Sequence, residues 1–391
     1  MTDRPAILGG APAFPDGLPL VRPTLTGVPE IARRLERVLE SGILTNGPNV
    51  RRLEETAAEY MNVRHVVAVA SCTSGLMLAL VACGIRGKVV VPSFTFSATA
   101  HAVHWAGGTP VFADIDAETL TLDPADATPR LADADALMAT HLYGTPCDVE
   151  GLQAVADAAS VPLVYDAAHA LGSRRKGKPV GGFGTAEVFS LSPTKVAVAG
   201  EGGLVATNDD VVAEACRLGR DYGNPGDYNC RFPGLNARMS ELHAVVGLAS
   251  LDRLDDRVAY RNKLVDRFRA AVEWIPGLSF PVVSDGDTST YKDLTVLVDA
   301  CSFGLSAAQL AQALRVDGID SRRYYHPPVH RQDAYARKRS PVALPVTDRV
   351  ALEVLSPPLW SHMTESQIDR VADAILRIQR CAAAVADALG G

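Results

Sequence analysis

The sequence predicts an α/β fold in which helices cover both faces of a mostly parallel sheet. Segments of strand length alternate with segments of helix length through the first half of the chain. The strand segments, such as Val66–Ala70 and Val89–Val91, are apolar at nearly every position, as expected of parallel strands buried on both faces. With 391 residues, of which 47% are hydrophobic and 21% charged, the chain is long enough for two domains.

The individual elements follow from the spacing of apolar residues. Two amphipathic helices come first, at 29–41 and 50–60, because apolar residues recur there at helical spacing between charges. The predicted strands are short apolar runs at 66–70, 89–92, 110–113, 135–140 and 161–165, with one more ending near 190 and one beginning near 203. The predicted helices between and after them are 74–84, 97–106, 149–159, 210–218, 239–251 and 255–274.

A smaller α+β unit is predicted after the last of these helices, where Pro276 and Gly277 indicate a boundary. Its predicted elements are a strand at 294–298, a helix at 306–316 and a closing helix at 368–388. We therefore predict a large α/β domain of residues 1–254. A smaller C-terminal α+β domain of residues 255–391 would include the connecting helix.

Charge and cysteine content restrict the kind of protein. A net charge of -7 and a pI of about 5.7 argue against nonspecific binding to nucleic acid or to an anionic membrane. The seven cysteines are scattered, with no CxxC pair and no metal-ligand spacing. We therefore predict reduced thiols, a cytoplasmic location and no metal site. The first residues lack the basic-then-apolar layout of a signal peptide.

One uncharged run, residues 66–85, is long enough to cross a bilayer. The sequence Ser-Cys-Thr-Ser-Gly at 71–75 interrupts it at its middle. A strand, a polar turn and a buried helix fit this pattern better than a membrane span.

Polar and aromatic residues follow two of the predicted strands, and in a parallel sheet ligands bind beyond the carboxyl ends of strands. Ser71–Ser74 follow the first strand and open a helix, so their hydroxyl and N–H groups could bind a phosphate or simply cap the helix. Phe94 and Phe96 follow the next strand. A ring there could stack on a flat cofactor or pack in the core.

Asp166, His169 and Lys195 follow two later strands. A carboxylate such as Asp166 in apolar surroundings needs a partner, which a pyridinium N–H could supply; a helix-capping Asp and a core His are the alternatives. Lys195 precedes an apolar run, where it could form a Schiff base or be a surface lysine. These segments would place a phosphate site, an aromatic ring, a carboxylate and a lysine at one edge of the sheet. Pyridoxal phosphate requires this set of groups. No GxGxxG motif opens a strand-to-helix turn, which disfavours a dinucleotide-binding oxidoreductase.

Ordered motifs extend along nearly the whole chain. They are Ser41-Gly-Ile-Leu-Thr-Asn-Gly-Pro48, Val91-Pro-Ser-Phe-Thr-Phe-Ser-Ala-Thr99, Asp166-Ala-Ala-His-Ala170, Phe189-Ser-Leu-Ser-Pro-Thr-Lys195, Gly200-Glu-Gly-Gly203, Leu235-Asn-Ala-Arg-Met-Ser-Glu-Leu242 and Tyr324-Tyr-His-Pro-Pro-Val-His330. Together they resemble the DegT/DnrJ/EryC1/StrS family of sugar aminotransferases. The resemblance implies a fold-type-I pyridoxal phosphate (PLP) aminotransferase, with a mostly parallel seven-stranded sheet in its large domain and a smaller C-terminal α+β domain.

The resemblance also implies a role for each matched residue. Lys195 would form the Schiff base with the cofactor, Asp166 would pair with the ring nitrogen, and His169 would lie beside the phenolic oxygen. The other implied cofactor contacts are Phe96 on the ring, Thr73, Ser74 and Ser190 at the phosphate, and Asn236 from the neighbouring subunit of a homodimer.

Two positions depart from the family pattern. Cys72 stands where many members have glycine and could narrow the phosphate-binding loop. Ser192 stands where many members have histidine, which puts in doubt a substrate contact made by that histidine. Some relatives replace the lysine with histidine and act as dehydratases, and Lys195 argues against that activity here.

The run from Val89 to Gly184 most resembles members that aminate C4 of a dTDP-4-keto-6-deoxyhexose, such as dTDP-4-keto-6-deoxy-D-glucose. L-Glutamate is the implied amino donor. Two alternatives share the core motifs, amination at C3 of a keto sugar and amination of scyllo-inosose. A non-enzymatic regulator that retains the fold is an alternative of another class, although the intact lysine, aspartate, histidine and phenylalanine set argues against it.

Substrate contacts are the least specific part of the pattern. Tyr324, His326 and His330 could line a sugar-nucleotide channel or be surface loop residues. Arg22 and Arg231 could contact a diphosphate.

Overall fold

The structure, a computed structural model, describes residues 4–336 and 342–390. Its largest element is a seven-stranded sheet, and a three-stranded sheet follows later in the chain. The strands are, in chain order, β1 (His65–Val69), β2 (Lys88–Pro92), β3 (Thr109–Ala113), β4 (Ala136–Thr140), β5 (Leu163–Asp166), β6 (Arg174–Arg175), β7 (Lys178–Pro179), β8 (Ala186–Ser190), β9 (Gly203–Thr207), β10 (Leu278–Ser279), β11 (Val296–Val298) and β12 (Val354–Leu355).

The large sheet has the order β1-β9-β8-β5-β4-β2-β3 and is mostly parallel, which confirms the prediction. All neighbouring pairs from β3 to β8 are parallel. β9 runs antiparallel to β8 and to β1, because the connection at residues 191–202 contains no helix to carry the chain across the sheet. β1, β2, β4, β5 and β8 therefore point the same way, and their carboxyl ends lie at one edge.

The helices alternate with the strands in the first half of the chain and dominate the second half. They are α1 (Val28–Ser41), α2 (Pro48–Met61), α3 (Cys72–Ala82), α4 (Ala98–Trp105), α5 (Pro124–Ala127), α6 (Val149–Ala159), α7 (Asp210–Gly219), α8 (Glu241–Leu251), α9 (Leu254–Val272), α10 (Ala300–Phe303), α11 (Ala307–Val316), α12 (Asp333–Ala336), α13 (Pro345–Glu353), α14 (Glu365–Arg380) and α15 (Ala382–Ala388).

Alternate strand residues pack on opposite faces of the large sheet. Val67 and Val69 of β1 lie in one core with Leu76 of α3, whereas Val66 lies in another core with Leu53 of α2. Because both faces are covered, the strands are apolar at nearly every position.

The uncharged run at 66–85 forms most of β1 and all of α3, so the prediction of a strand, a turn and a buried helix is confirmed. Within residues 4–336 and 342–390, no helix combines the length and the apolar character needed to cross a membrane.

The C-terminal part contains an antiparallel sheet of order β10-β11-β12. Its core includes Phe268 of α9 and Ile375 of α14, together with Phe14 and Leu18 from the beginning of the chain. The predicted closing helix is in fact two helices, α14 and α15, which meet at Cys381. The domain bounds, which assign residues 14 and 18 to the large domain, stay a prediction.

Candidate active site

A cavity of about 180 Å³ lies at the edge where the carboxyl ends of β1, β2, β5 and β8 meet. Residues from the segments that follow these strands surround it, as the sequence pattern predicts. Its lining consists of Ser71, Cys72, Thr73, Thr95, Phe96, Ala98, Thr140, Asp166, Ala168, His169, Ser190, Ser192, Lys195, Glu201 and Gly202.

Asp166 is the last residue of β5 and is only 3% exposed. Its Oδ2 accepts a hydrogen bond from Thr99 Oγ1 at 2.7 Å, and its Oδ1 accepts one from the Ala168 N–H at 3.1 Å. Burial raises the pKa of the carboxyl, whereas these two hydrogen bonds and the charge of Lys195 oppose the rise. A cation placed against this carboxylate in the cavity would stabilise its charged form.

His169 lines the same cavity, and its environment favours the neutral ring. Its Nδ1 lies 3.1 Å from the backbone N–H of Tyr143, which donates to it. The ring proton of the neutral form is therefore assigned to Nε2, the remaining donor. Burial, together with the charges of Lys195 and Lys292, holds the pKa of His169 well below its usual value. His169 can thus donate a hydrogen bond without carrying a charge.

Lys195 lies in the loop between β8 and β9, where its N–H donates to Ser192 O at 3.0 Å. Its side chain lines the cavity, and its ammonium makes no hydrogen bond or ion pair with any described residue. Burial, helped by the charge of Lys292, lowers the pKa of Lys195 to about 8. At pH 7 roughly one amine in ten is then unprotonated, far more than for an exposed lysine.

The N-terminus of α3 forms another side of the cavity. Ser71 and Ser74 make a capping box: Ser71 Oγ accepts from the Ser74 N–H at 3.1 Å, and Ser74 Oγ accepts from the Ser71 N–H at 3.2 Å. Thr73 and Ser190 line the cavity. Ser74 does not line the cavity, and its hydroxyl also donates to Ser71 O at 2.8 Å.

The two phenylalanines after β2 have different environments. Phe96 lines the cavity and is 58% exposed, whereas Phe94 is 1% exposed and packs in a core with Leu142. The ring of Phe96 is thus free to stack on a ligand, and Phe94 is a core residue.

Both departures from the family pattern line the cavity. Cys72 Sγ lies 3.5 Å from Val188 O and 3.9 Å from Asp166 Oδ1, so the thiol packs against the ends of β5 and β8. Burial and the neighbouring carboxylate raise the pKa of the Cys72 thiol well above its usual value. The close approach of β9 depends on Gly203, because a Cβ there would lie 2.6 Å from the Cys72 nitrogen.

The predicted substrate residues lie outside the cavity. His330 is buried, with Nδ1 2.6 Å from Ser93 Oγ and Nε2 3.2 Å from Asp348 Oδ1, so polar contacts hold its ring outside the cavity. His326 is exposed, and Tyr324 is half-buried beside Lys292.

The remaining predicted contacts also lie outside it. Asn236, predicted to act on a neighbouring subunit, is exposed and pairs through its backbone with Asp221. Arg231 forms an ion pair with Asp227, and Arg22 lies over the ring of Trp360.

Three residues near the site were not predicted from the sequence. Thr99, which donates to Asp166, is the last residue of a quoted motif and lies in the first turn of α4. Glu201 lies in another quoted motif and lines the cavity. Tyr143 acts through its backbone N–H, which no sequence pattern marks.

The side chains in the cavity fit PLP. Lys195 offers an unpartnered amine of lowered pKa, Asp166 offers a buried carboxylate for a protonated ring nitrogen, and His169 offers a neutral donor. With the seven-stranded sheet and the small antiparallel C-terminal sheet, this arrangement defines a fold-type-I aminotransferase.

Comparisons with known proteins narrow the class. The chain belongs to the DegT/DnrJ/EryC1/StrS aminotransferase family, whose model matches residues 26–376. The spore coat polysaccharide biosynthesis protein SpsC of Bacillus subtilis is 33% identical over 386 residues, covering 93% of this chain and 96% of SpsC. The dTDP-3-amino-3,4,6-trideoxy-alpha-D-glucose transaminase of Streptomyces venezuelae is 34% identical, covering 87% of this chain and 90% of that enzyme.

Solved structures agree with this assignment. DesI, crystallised in the presence of its TDP-sugar product, is 36% identical with a TM-score of 0.91, covering 98% of this chain and 97% of DesI. DesV of S. venezuelae, in complex with a ketimine intermediate, is 33% identical with a TM-score of 0.85, covering 91% of this chain and 95% of DesV. The protein is therefore a nucleotide-sugar aminotransferase of a PLP-dependent family.

Proposed function

We propose that Lys195, Asp166 and His169 are the catalytic residues and that they hold PLP in the cavity described above. The observation that carries this proposal is the unpartnered Lys195 amine, which shares one cavity with the buried carboxylate of Asp166. Phe96 would stack on the ring, and Thr73 and Ser190 would bind the phosphate beside the N-terminus of α3. Ser74 would contribute to this phosphate site by shaping the turn, because its N–H and hydroxyl are held in the capping box with Ser71.

The side chains divide the chemical tasks. Bound PLP supplies an electron sink for the carbanion that forms when the substrate carbon loses its proton. Asp166 would hold the ring nitrogen of the cofactor and, through an ion pair, keep it protonated. Lys195, with a pKa of about 8, moves the proton at the substrate carbon because its free amine is available near neutral pH. His169, whose Nδ1 accepts from Tyr143, would offer its Nε2–H to the phenolic oxygen of the cofactor.

The proposed substrate is dTDP-4-keto-6-deoxy-D-glucose, aminated at C4 with L-glutamate as donor. Two observations support this choice: the resemblance of residues 89–184 to C4-specific members, and the similarity to the dTDP-4-amino-4,6-dideoxy-D-glucose transaminase of Escherichia coli. That enzyme is 29% identical over 92% of this chain and 98% of its own length.

Amination at C3 is the second candidate. The S. venezuelae relative named for a dTDP-3-amino sugar is 34% identical, so overall similarity favours C3 as much as C4. Which carbon of the sugar is aminated must therefore be determined by an activity measurement.

We also propose a homodimer whose partner supplies Asn236 to the phosphate site. Asn236 is exposed and lies outside the cavity of its own chain, which is consistent with a role across a subunit interface. Expression of Asn236→Ala with a Lys195→Ala chain would test it. If the sites are shared, mixed dimers regain one intact site and about a quarter of parental activity, whereas neither variant is active alone. Unshared sites would show no such complementation.

The substrate assignment is tested by running the reaction backward. Purified protein is incubated with 2-oxoglutarate and either dTDP-4-amino-4,6-dideoxy-D-glucose or a dTDP-3-amino-3,6-dideoxyhexose, and glutamate formation is measured. Consumption of the 4-amino sugar alone supports C4 specificity. Consumption of the 3-amino sugar alone refutes it and supports the second candidate.

The role of Lys195 is tested with Lys195→Ala, using Lys263→Ala as a matched control. Lys263 lies on α9 and forms an exposed ion pair with Glu365, so its loss leaves the cavity intact. We expect Lys195→Ala to lose both turnover and the borohydride-sensitive absorbance of the bound cofactor, and Lys263→Ala to retain them. Turnover by Lys195→Ala would refute the proposed role.

A further inference from the structure

The hydroxyl groups of three threonines form a continuous chain of hydrogen bonds that ends on Asp166. Thr140 is the last residue of β4, Thr95 lies between β2 and α4, and Thr99 lies in the first turn of α4. Thr140 Oγ1 lies 3.2 Å from Thr95 Oγ1, which in turn lies 2.9 Å from Thr99 Oγ1. Thr99 Oγ1 donates to Asp166 Oδ2 at 2.7 Å. The three residues, called the threonine chain below, are each at most 5% exposed.

The direction of every hydrogen bond in the threonine chain follows from the number of protons available. An ionised carboxylate only accepts hydrogen bonds, and each threonine hydroxyl carries a single proton. Because the proton of Thr99 lies on Asp166, the proton between Thr99 and Thr95 must come from Thr95. By the same reasoning Thr140 donates to Thr95. All three hydroxyl dipoles therefore point toward the ionised carboxylate, and each hydrogen bond polarises the next.

The threonine chain also connects the carboxylate to the surface of the cavity. Thr95 and Thr140 line the cavity, whereas Thr99 does not. The hydroxyl of a helical threonine commonly donates to a backbone carbonyl three or four residues earlier. The hydroxyl of Thr99 donates to Asp166 instead, and the proton of Thr95 occupies the other side of its oxygen. Thr95 thus keeps the Thr99 hydroxyl turned toward the carboxylate.

We propose that Thr95 and Thr140 are positioning residues of the active site, which act through Thr99 to keep a hydrogen-bond donor on Asp166. They do not replace Asp166 in its contact with the cofactor. Their role is to stabilise the ionised form of the carboxylate, which is the form that pairs with a protonated ring nitrogen.

Other titratable side chains face Asp166 or line the cavity with it. They are Cys72 on α3, His141 after β4, His169 after β5, Lys195 and Glu201 in the loop between β8 and β9, and Tyr325 from the C-terminal part of the chain. None of them belongs to the threonine chain, so their titration affects the parent and the threonine variants alike. The ratio of the two cofactor affinities therefore reports on Asp166.

The first test removes the middle hydroxyl of the threonine chain. Thr95→Val breaks the chain and keeps the hydroxyl of Thr99, whereas Thr95→Ser keeps the chain intact. Equilibrium dialysis at a series of pH values measures the affinity for PLP. Burial raises the pKa of Asp166, and loss of an aligned donor should raise it further. We expect Thr95→Val to bind PLP about threefold more weakly at the acidic end of the range. At the alkaline end both proteins carry an ionised Asp166, and their affinities should converge. Thr95→Ser should follow the parent at every pH.

The second test shows whether Thr95 acts through Thr99. In a Thr99→Val background the donor to Asp166 is already lost, so Thr95→Val should cause no further loss of affinity at acidic pH. Thr140→Val breaks the outer link of the threonine chain and should weaken PLP binding about twofold in the same pH range. This variant keeps the proposal testable if Thr95→Val does not fold.

An equivalent pair of hydroxyl groups outside the cavity provides the matched control. Thr121 is 3% exposed, and its hydroxyl lies 3.0 Å from that of Thr119, which donates to Asp116 Oδ1 at 2.9 Å. None of these three residues lines the cavity. Thr121→Val should therefore bind PLP like the parent at every pH.

The proposal is supported by a loss of affinity at acidic pH that Thr95→Ser does not show and that is absent in the Thr99→Val background. It is overturned if Thr95→Val binds PLP like the parent, or if the loss has the same size at every pH. A loss that adds to that of Thr99→Val would also overturn it, because Thr95 would then act on the cavity directly.

This inference rests on the proposed binding of PLP at Asp166, and Asp166→Ala separates the two. If Asp166→Ala binds PLP as tightly as the parent at every pH, the proposed function fails. If Asp166→Ala binds PLP weakly while Thr95→Val binds it like the parent, only the role of the threonine chain fails.

Discussion

The hydrogen bond from Thr99 to Asp166 offers the sharpest test of the site. Thr99 is fully buried, and its hydroxyl lies 2.7 Å from Asp166 Oδ2. Thr99→Val removes this donor and nearly preserves the shape of the side chain. A hydrogen bond to a charged group contributes about 2 kcal/mol, so the loss of this donor should raise the pKa of Asp166.

The pH dependence of cofactor affinity follows from this shift. Burial already raises the pKa of Asp166, and the loss of Thr99 raises it further. Below the new pKa, the carboxyl of the variant is protonated and must ionise before it can pair with the ring nitrogen. The affinity for PLP should therefore fall by up to about 30-fold at the acidic end. Above the pKa both proteins carry an ionised Asp166, and their affinities should converge.

Equilibrium dialysis of PLP at a series of pH values measures this effect. Thr99→Ser keeps the hydroxyl and should behave like the parent. Thr207→Val is the matched control, because Thr207 is equally buried but its hydroxyl donates to Thr185 O at 2.7 Å, away from the cavity. A loss of affinity that is the same at every pH, or that Thr99→Ser and Thr207→Val share, would refute the reasoning.

Three further predictions concern single residues. Glu241→Ala should lower the free energy of unfolding by roughly 3 kcal/mol, because Glu241 accepts hydrogen bonds from the N–H groups of residues 47, 49 and 50 at the start of α2. Chemical denaturation measures this, and an unchanged midpoint would contradict it. His330→Ala should lower the melting temperature, since its ring bonds Ser93, whereas exposed His326→Ala should not. Iodoacetamide at pH 8 should modify exposed Cys230 and leave Cys72 intact, because burial raises the pKa of the Cys72 thiol. Rapid modification of Cys72 would contradict its burial.

Much of the fold could be predicted from the sequence because it depends on local patterns. Apolar runs of strand length marked the strands of the large sheet, and Ser71–Ser74 marked the start of α3. The parallel direction of most strands followed from their apolar character on both faces. The reversed direction of β9 did not, because strand order and direction depend on how the whole chain packs.

The candidate site divides in the same way. Lys195, Asp166, His169 and Phe96 were predicted because each follows a strand, and parallel strands bring their carboxyl ends together. The sequence left open whether Phe94 or Phe96 lies at the cavity. Only the tertiary structure shows that Phe94 is buried in a core and that Phe96 lies at the cavity.

Only the tertiary structure decided which residues distant in the chain contact one another. The sequence by itself determined which chemical groups are present and which strands they follow. It could not show that His330 bonds Ser93, or that Lys292 contacts the loop of Tyr143, because 237 residues separate the first pair and local patterns carry no information over such distances. The contact of Lys292 with Tyr143 holds the backbone N–H that donates to His169 Nδ1, and it therefore affects the chemistry that the cavity can perform.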